Sequence, residues 1–225
     1  MKQVFAGVLV LAFAAMGNAQ TTKQEQSTLT PEKVLADLMA GNARFVGGKH
    51  RAYDVKAALM KTAGGQYPKA MVLACVDSRV PVELVFDQGI GDIFVGRVAG
   101  NIADDDQIGS MEFATKMAGA KLVFVLGHTA CGAVIGACDG AELGKLTNLL
   151  AKIKPAMNAV RGYAAEERTS ANREFVNKVI EENVRETVTR IRAESPVLSE
   201  LEAAGAIKIV GGIYNLETGK VSLLE

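Results

Sequence analysis

Four short apolar runs, "PKAMVLAC", "GDIFVGRVAGN", "KLVFVLGH" and "AIKIVGG", alternate along the chain with segments of helical spacing. Strands that alternate with helices call for a largely parallel sheet covered on both faces. The intervening segments carry helix signals of their own. Thr30-Pro31 supplies an N-cap and a first-turn proline ahead of "EKVLADLMAGNARFV". In "DDDQIGSMEFATKMAGA" acids occupy the first turn and Gly119 lies near the end. Two longer helices are expected over about 143–161 and 170–193, and "NLETGKVSLL" adds a turn and a hairpin partner. The fold class that follows is α/β: a mostly parallel central β-sheet flanked by helices, with a C-terminal edge hairpin and an N-terminal helical arm.

In sheets of this kind, ligands gather beyond the carboxyl ends of the strands. Two of those ends hold unusual residues. The first run leads into "CVDSR", with Cys75, Asp77 and Arg79; the third leads into "GHTAC", with His128 and Cys131. If the two strands are neighbours, two thiols and an imidazole converge. That set suits zinc and leaves a fourth coordination position open. Each residue also has a plain alternative: a buried small thiol, a turn histidine, a helix-capping aspartate with a surface arginine.

Charge narrows the partners. Lysine plus arginine number 25, as do aspartate plus glutamate, so no net field favours nucleic acid or a membrane surface. Three cysteines do not make a disulfide framework. Cys138, on the small-residue segment "AVIGACDG", is too far along a helix to bridge Cys131 and reads as a buried free thiol.

Residues 1–19, "MKQVFAGVLVLAFAAMGNA", have the layout of a secretory signal peptide: an early lysine, an apolar core and small residues before a cleavage point after Ala19. Residues 20–29 then form a polar, flexible mature N-terminus, and one domain occupies 30–225. The expected location is periplasmic or secreted.

"CVDSRVP" followed by "GHTACGA" resembles the β-class carbonic anhydrases, and "LMAGNARFVGG", "GDIFVGRVAGN" and "SMEFA" extend the resemblance over nearly the whole mature chain. The resemblance implies reversible hydration of carbon dioxide to bicarbonate, with one zinc ion per subunit on Cys75, His128 and Cys131. Asp77 and Arg79 become the catalytic pair, Arg79 holding the aspartate off the metal. Gln66, Phe94 and Gly132 become substrate-site residues, Gln66 by reaching the partner subunit's site. Phe113 falls where plant-type members carry a tyrosine. The sequence has no tryptophan, which favours the plant-type, constitutively open branch. The family assembles as a homodimer or a dimer of dimers. His50 is a candidate proton shuttle, with a solvated surface histidine as its rival. A carbon disulfide hydrolase, a non-catalytic zinc-binding bicarbonate sensor and a cysteine redox protein remain alternatives.

Overall fold

The structure is a computed structural model and describes residues 21–225. Residues 1–19, expected to be a signal peptide, lie outside the described residues.

Residues 21–29, expected as part of a flexible N-terminus, carry a short helix. Helix α1 (Lys23–Thr28) is closed by a capping box in which Thr22 and Glu25 exchange side-chain-to-backbone hydrogen bonds. Its Gln26 is buried, and Nε2 donates to Pro68 O at 2.7 Å and Ala118 O at 2.8 Å. A buried amide satisfied by two backbone carbonyls anchors the segment. After it comes α2 (Pro31–Val46), capped by Thr30 with Pro31 in its first turn as expected, and then α3 (Val55–Thr62).

Strand β1 (Ala70–Ala74) is followed by the single-turn helix α4 (Val82–Val85) and strand β2 (Ile93–Arg97). Helix α5 (Asp105–Glu112) is capped by Asp104 and continues as a wider π turn over Phe113–Met117, so the expected single helix changes pitch before Gly119. Strand β3 (Leu122–His128) leads into α6 (Gly132–Cys138). The expected helix over 143–161 is two helices, α7 (Gly144–Ala151) and α8 (Lys154–Ala159). Pro155 has no N–H to continue the ladder and instead occupies the first turn of α8. The long helix α9 (Arg173–Glu194) and α10 (Pro196–Ala203) precede strands β4 (Lys208–Tyr214) and β5 (Val221–Leu224). Among the described residues, no helix is long and apolar enough to cross a membrane.

The strands lie in the order β2-β1-β3-β4-β5, parallel except for the terminal β5. β1 and β3 are buried along their whole lengths, which accounts for their unbroken apolar sequences. Alternate side chains feed opposite faces. Met71, Leu73, Val123 and Val125 pack with Ile191 and Leu198, while Val72, Phe124 and Leu126 pack with Val34, Leu38 and Phe86. A third apolar cluster, with Ile153, Phe175 and Val179, surrounds Cys75 and Cys131 beyond the strand ends.

The chain passes from β1 outward to β2, then crosses back to place β3 on the other side of β1. That reversal opens the sheet's crevice at the carboxyl ends of β1 and β3. "CVDSR" and "HTAC" both begin there.

Candidate metal centre

Cys75 immediately follows β1, His128 ends β3, and Cys131 is the N-cap residue of α6. The turn between the latter two is tight, with Ala130 at φ 53, a left-handed conformation that a residue with a Cβ rarely adopts. It brings the ligand atoms of Cys75, His128 and Cys131 within 4.8 Å of one another, all three buried.

The donor chemistry fits a soft divalent cation. His128 Nδ1 lies 2.9 Å from Thr129 O, which fixes the proton on that nitrogen and leaves Nε2 with its lone pair. Nε2 is buried and has no hydrogen-bond partner. Between the two thiols a hydrogen bond from Cys131 leads the influences that draw Cys75 down to about 4, while Cys75 and burial push Cys131 up. The pair therefore retains one proton, and a cation is what would let both sulfurs ionise. Zinc answers both the orphaned imidazole nitrogen and the second thiolate.

Asp77 and Arg79 stand beside this cluster. Arg79 donates to the carboxylate through Nε at 3.0 Å and Nη2 at 2.8 Å, and its backbone N–H adds a bond at 2.9 Å. Those bonds from Arg79, the side-chain ones first, hold Asp77 down to about 2 against the opposing effect of burial. Asp77 Oδ2 lies 3.9 Å from His128 Nε2, so the carboxylate borders the open side of the ligand set. Asp77 does not cap α4, whose N-cap is Pro81.

A sequence model of the carbonic anhydrase family matches residues 70–221, which include all five of these side chains. The chain belongs to the β-class carbonic anhydrases. It is 36% identical over 197 residues to carbonic anhydrase 2 of Mycobacterium tuberculosis, covering 84% of this chain and 90% of that one. Identity to the carbonic anhydrase of Mycolicibacterium smegmatis is also 36%, over 83% and 89% of the two chains. Among solved structures, the Coccomyxa β-carbonic anhydrase in complex with acetazolamide superposes with a TM-score of 0.66 at 25% identity, covering 75% and 77%. The tetrameric β-carbonic anhydrases of Sordaria macrospora share the fold, with a TM-score of 0.65 at 24% identity over 85% and 96%.

The remaining expected residues of this carbonic anhydrase divide. Gly132 opens α6 next to Cys131, with no atom crowding its Cα, so its backbone is accessible beside the ligands. Gln66 is exposed in the loop before β1, at the opposite end of that strand from Cys75. Five strand residues span about 16 Å, so Gln66 does not meet the cluster of its own chain. Phe94 lies near the start of the edge strand β2, edge-on to Phe113 with ring centroids 6.1 Å apart. His50 packs edge-on to Phe45 and lies 3.5 Å from Asp87, a carboxylate shared with Arg44 and Arg51. Cys138 is a free thiol as expected, though half-buried rather than buried.

Two functional contacts were not anticipated. Arg97 Nε donates to Cys75 O at 3.0 Å and Nη2 to Asp77 O at 2.5 Å, so one guanidinium clamps the backbone that carries both a ligand and the acid. Its place at the end of the second strand is the same strand-end signal that marks Cys75 and His128. The other is a backbone donor to sulfur: Gly100 N–H meets Cys75 Sγ at 3.4 Å.

Proposed function

We propose that this chain catalyses the reversible hydration of carbon dioxide to bicarbonate and a proton, with one zinc ion per subunit held by Cys75, His128 and Cys131. The observation that carries the reading is the carboxylate of Asp77, fixed by a two-pronged arginine beside a three-ligand cluster. A purely structural zinc site takes four protein ligands and has no use for an oriented acid. When bound, zinc supplies a hydroxide near neutral pH as the nucleophile toward carbon dioxide.

Asp77 remains ionised throughout the physiological range, so it accepts the proton of the attacking oxygen in a hydrogen bond and aims its lone pair. Arg79 holds both carboxylate oxygens and keeps Asp77 from turning to the metal. Gly132 offers its backbone N–H to substrate. Phe94 serves as an apolar wall of the carbon dioxide pocket, and Gln66 reaches the partner's site across a subunit boundary. The free outer edge of β2 and the exposed apolar side chains Leu59, Met60, Phe113 and Met117 support self-association as a dimer or a dimer of dimers. Residues 1–19 support export, with the mature enzyme working in the periplasm or outside the cell.

Purified mature protein is expected to carry zinc and to hydrate carbon dioxide faster as pH rises from about 6 to about 9. Asp77 is ionised over that whole interval and contributes nothing to the rise. A zinc-loaded protein with a flat profile, or with hydration at the buffer rate alone, contradicts the proposal.

A further inference from the structure

The sulfur of Cys75 is held from behind by a buried relay that begins on α9. Gly100 N–H donates to Cys75 Sγ at 3.4 Å, and Gly100 O accepts from Asn183 Nδ2 at 2.8 Å. The turn between them is closed by Asn101 N–H to Val98 O at 2.9 Å. It requires a glycine: Gly100 has φ 72 and ψ 15, and a Cβ there would lie 2.9 Å from Ile153 Cδ1 and 3.3 Å from Ala133 Cβ. Asn183 is 3% exposed and neighbours Val179, Ile180 and Val184 on the buried face of α9. An amide placed there is unfavourable unless hydrogen-bonded, and the carbonyl of Gly100 accepts from it.

We infer that Asn183 is a positioning residue for the metal centre: by fixing the carbonyl of Gly100 it holds the Gly100 N–H on Cys75 Sγ. The donated hydrogen bond withdraws charge from that sulfur and sets its direction relative to His128 and Cys131. Outer groups of this kind tune a ligand without touching the metal. The inference rests on Cys75, His128 and Cys131 binding zinc.

Three purified proteins test it: wild type, Asn183→Ala and Thr187→Val. Thr187 is buried on the same helix, where its hydroxyl donates to Asn183 O at 2.7 Å rather than to the turn. Zinc affinity is read by competition with a chromophoric chelator, and the sulfur-to-metal charge-transfer band is read after cobalt substitution. Asn183→Ala is expected to bind zinc about tenfold more weakly and to shift the cobalt band. Thr187→Val is expected to lose thermal stability with affinity and band unchanged. If Asn183→Ala behaves like Thr187→Val, the residue is structural only and the inference is overturned. Should Asn183→Ala fail to fold, wild-type protein loaded with an NMR-active cadmium isotope decides the matter. A scalar coupling between cadmium and the Gly100 amide proton supports the relay, and its absence overturns it. Wild type that binds neither zinc nor cadmium overturns the metal reading itself, an outcome separate from the others.

Discussion

Asp77 and Arg79 are joined by three hydrogen bonds: Oδ1 accepts the Arg79 backbone N–H at 2.9 Å and Nε at 3.0 Å, and Oδ2 accepts Nη2 at 2.8 Å. Only two residues apart, the acid and its holder form a closed unit that faces the metal ligands. The carboxylate is fixed in place and held in its charged form.

Arg79→Ala should therefore separate metal binding from turnover. Zinc content is expected to match wild type, since no ligand is touched, while hydration falls by about 100-fold or more. Arg79→Lys keeps the charge but loses the fork, and should recover only a part. Metal analysis beside initial rates measures both. Wild-type turnover in Arg79→Ala would remove the pair from the mechanism.

Arg97 tests whether the backbone of "CVD" must be clamped. Arg97→Gln withdraws the cation that bonds Cys75 O and Asp77 O. Hydration should drop about tenfold, and urea unfolding should show a loss of about 1 kcal/mol, the scale of a partly exposed hydrogen-bonded group. An unchanged rate with lowered stability would make Arg97 a structural residue alone.

Proton competition has a definite sign. The two free thiols share one proton, because Cys75 is drawn down to about 4 while Cys131 is pushed up. Binding zinc at mildly acidic pH must then displace about one proton, and affinity should weaken about tenfold per unit of pH lost. A hundredfold loss per unit would mean that a second ligand also holds a proton in the apo protein.

Much of this was legible in the sequence because the governing patterns are local. Each buried strand is an unbroken apolar run, and both ligand groups sit directly after such a run. What was not legible depends on distance or on a second copy. Nothing near Asn183 reveals that its amide meets Gly100, and nothing near Gln26 reveals that it docks against Pro68 and Ala118. Gln66 and Phe94 were singled out by resemblance, and Gln66 lies at the far end of β1 from the cluster of its own chain.

Two glycines calibrate the packing. A Cβ on Gly41 of α2 would lie 1.8 Å from Phe86 O, so Gly41→Ala must force α2 away from the end of α4. Destabilisation of about 3 kcal/mol is expected in urea unfolding. Gly109 of α5 has nothing within 4 Å of such an atom, and Gly109→Ala should add about 0.5 to 1 kcal/mol. Similar effects at both positions would contradict the α2–α4 contact.

The most direct measurement is stopped-flow hydration of carbon dioxide by the purified protein without residues 1–19 at about pH 8.5, beside zinc-stripped and zinc-restored samples. The account predicts fast hydration that disappears with the metal and returns with it. Hydration at the buffer rate in a sample shown to contain zinc would contradict it.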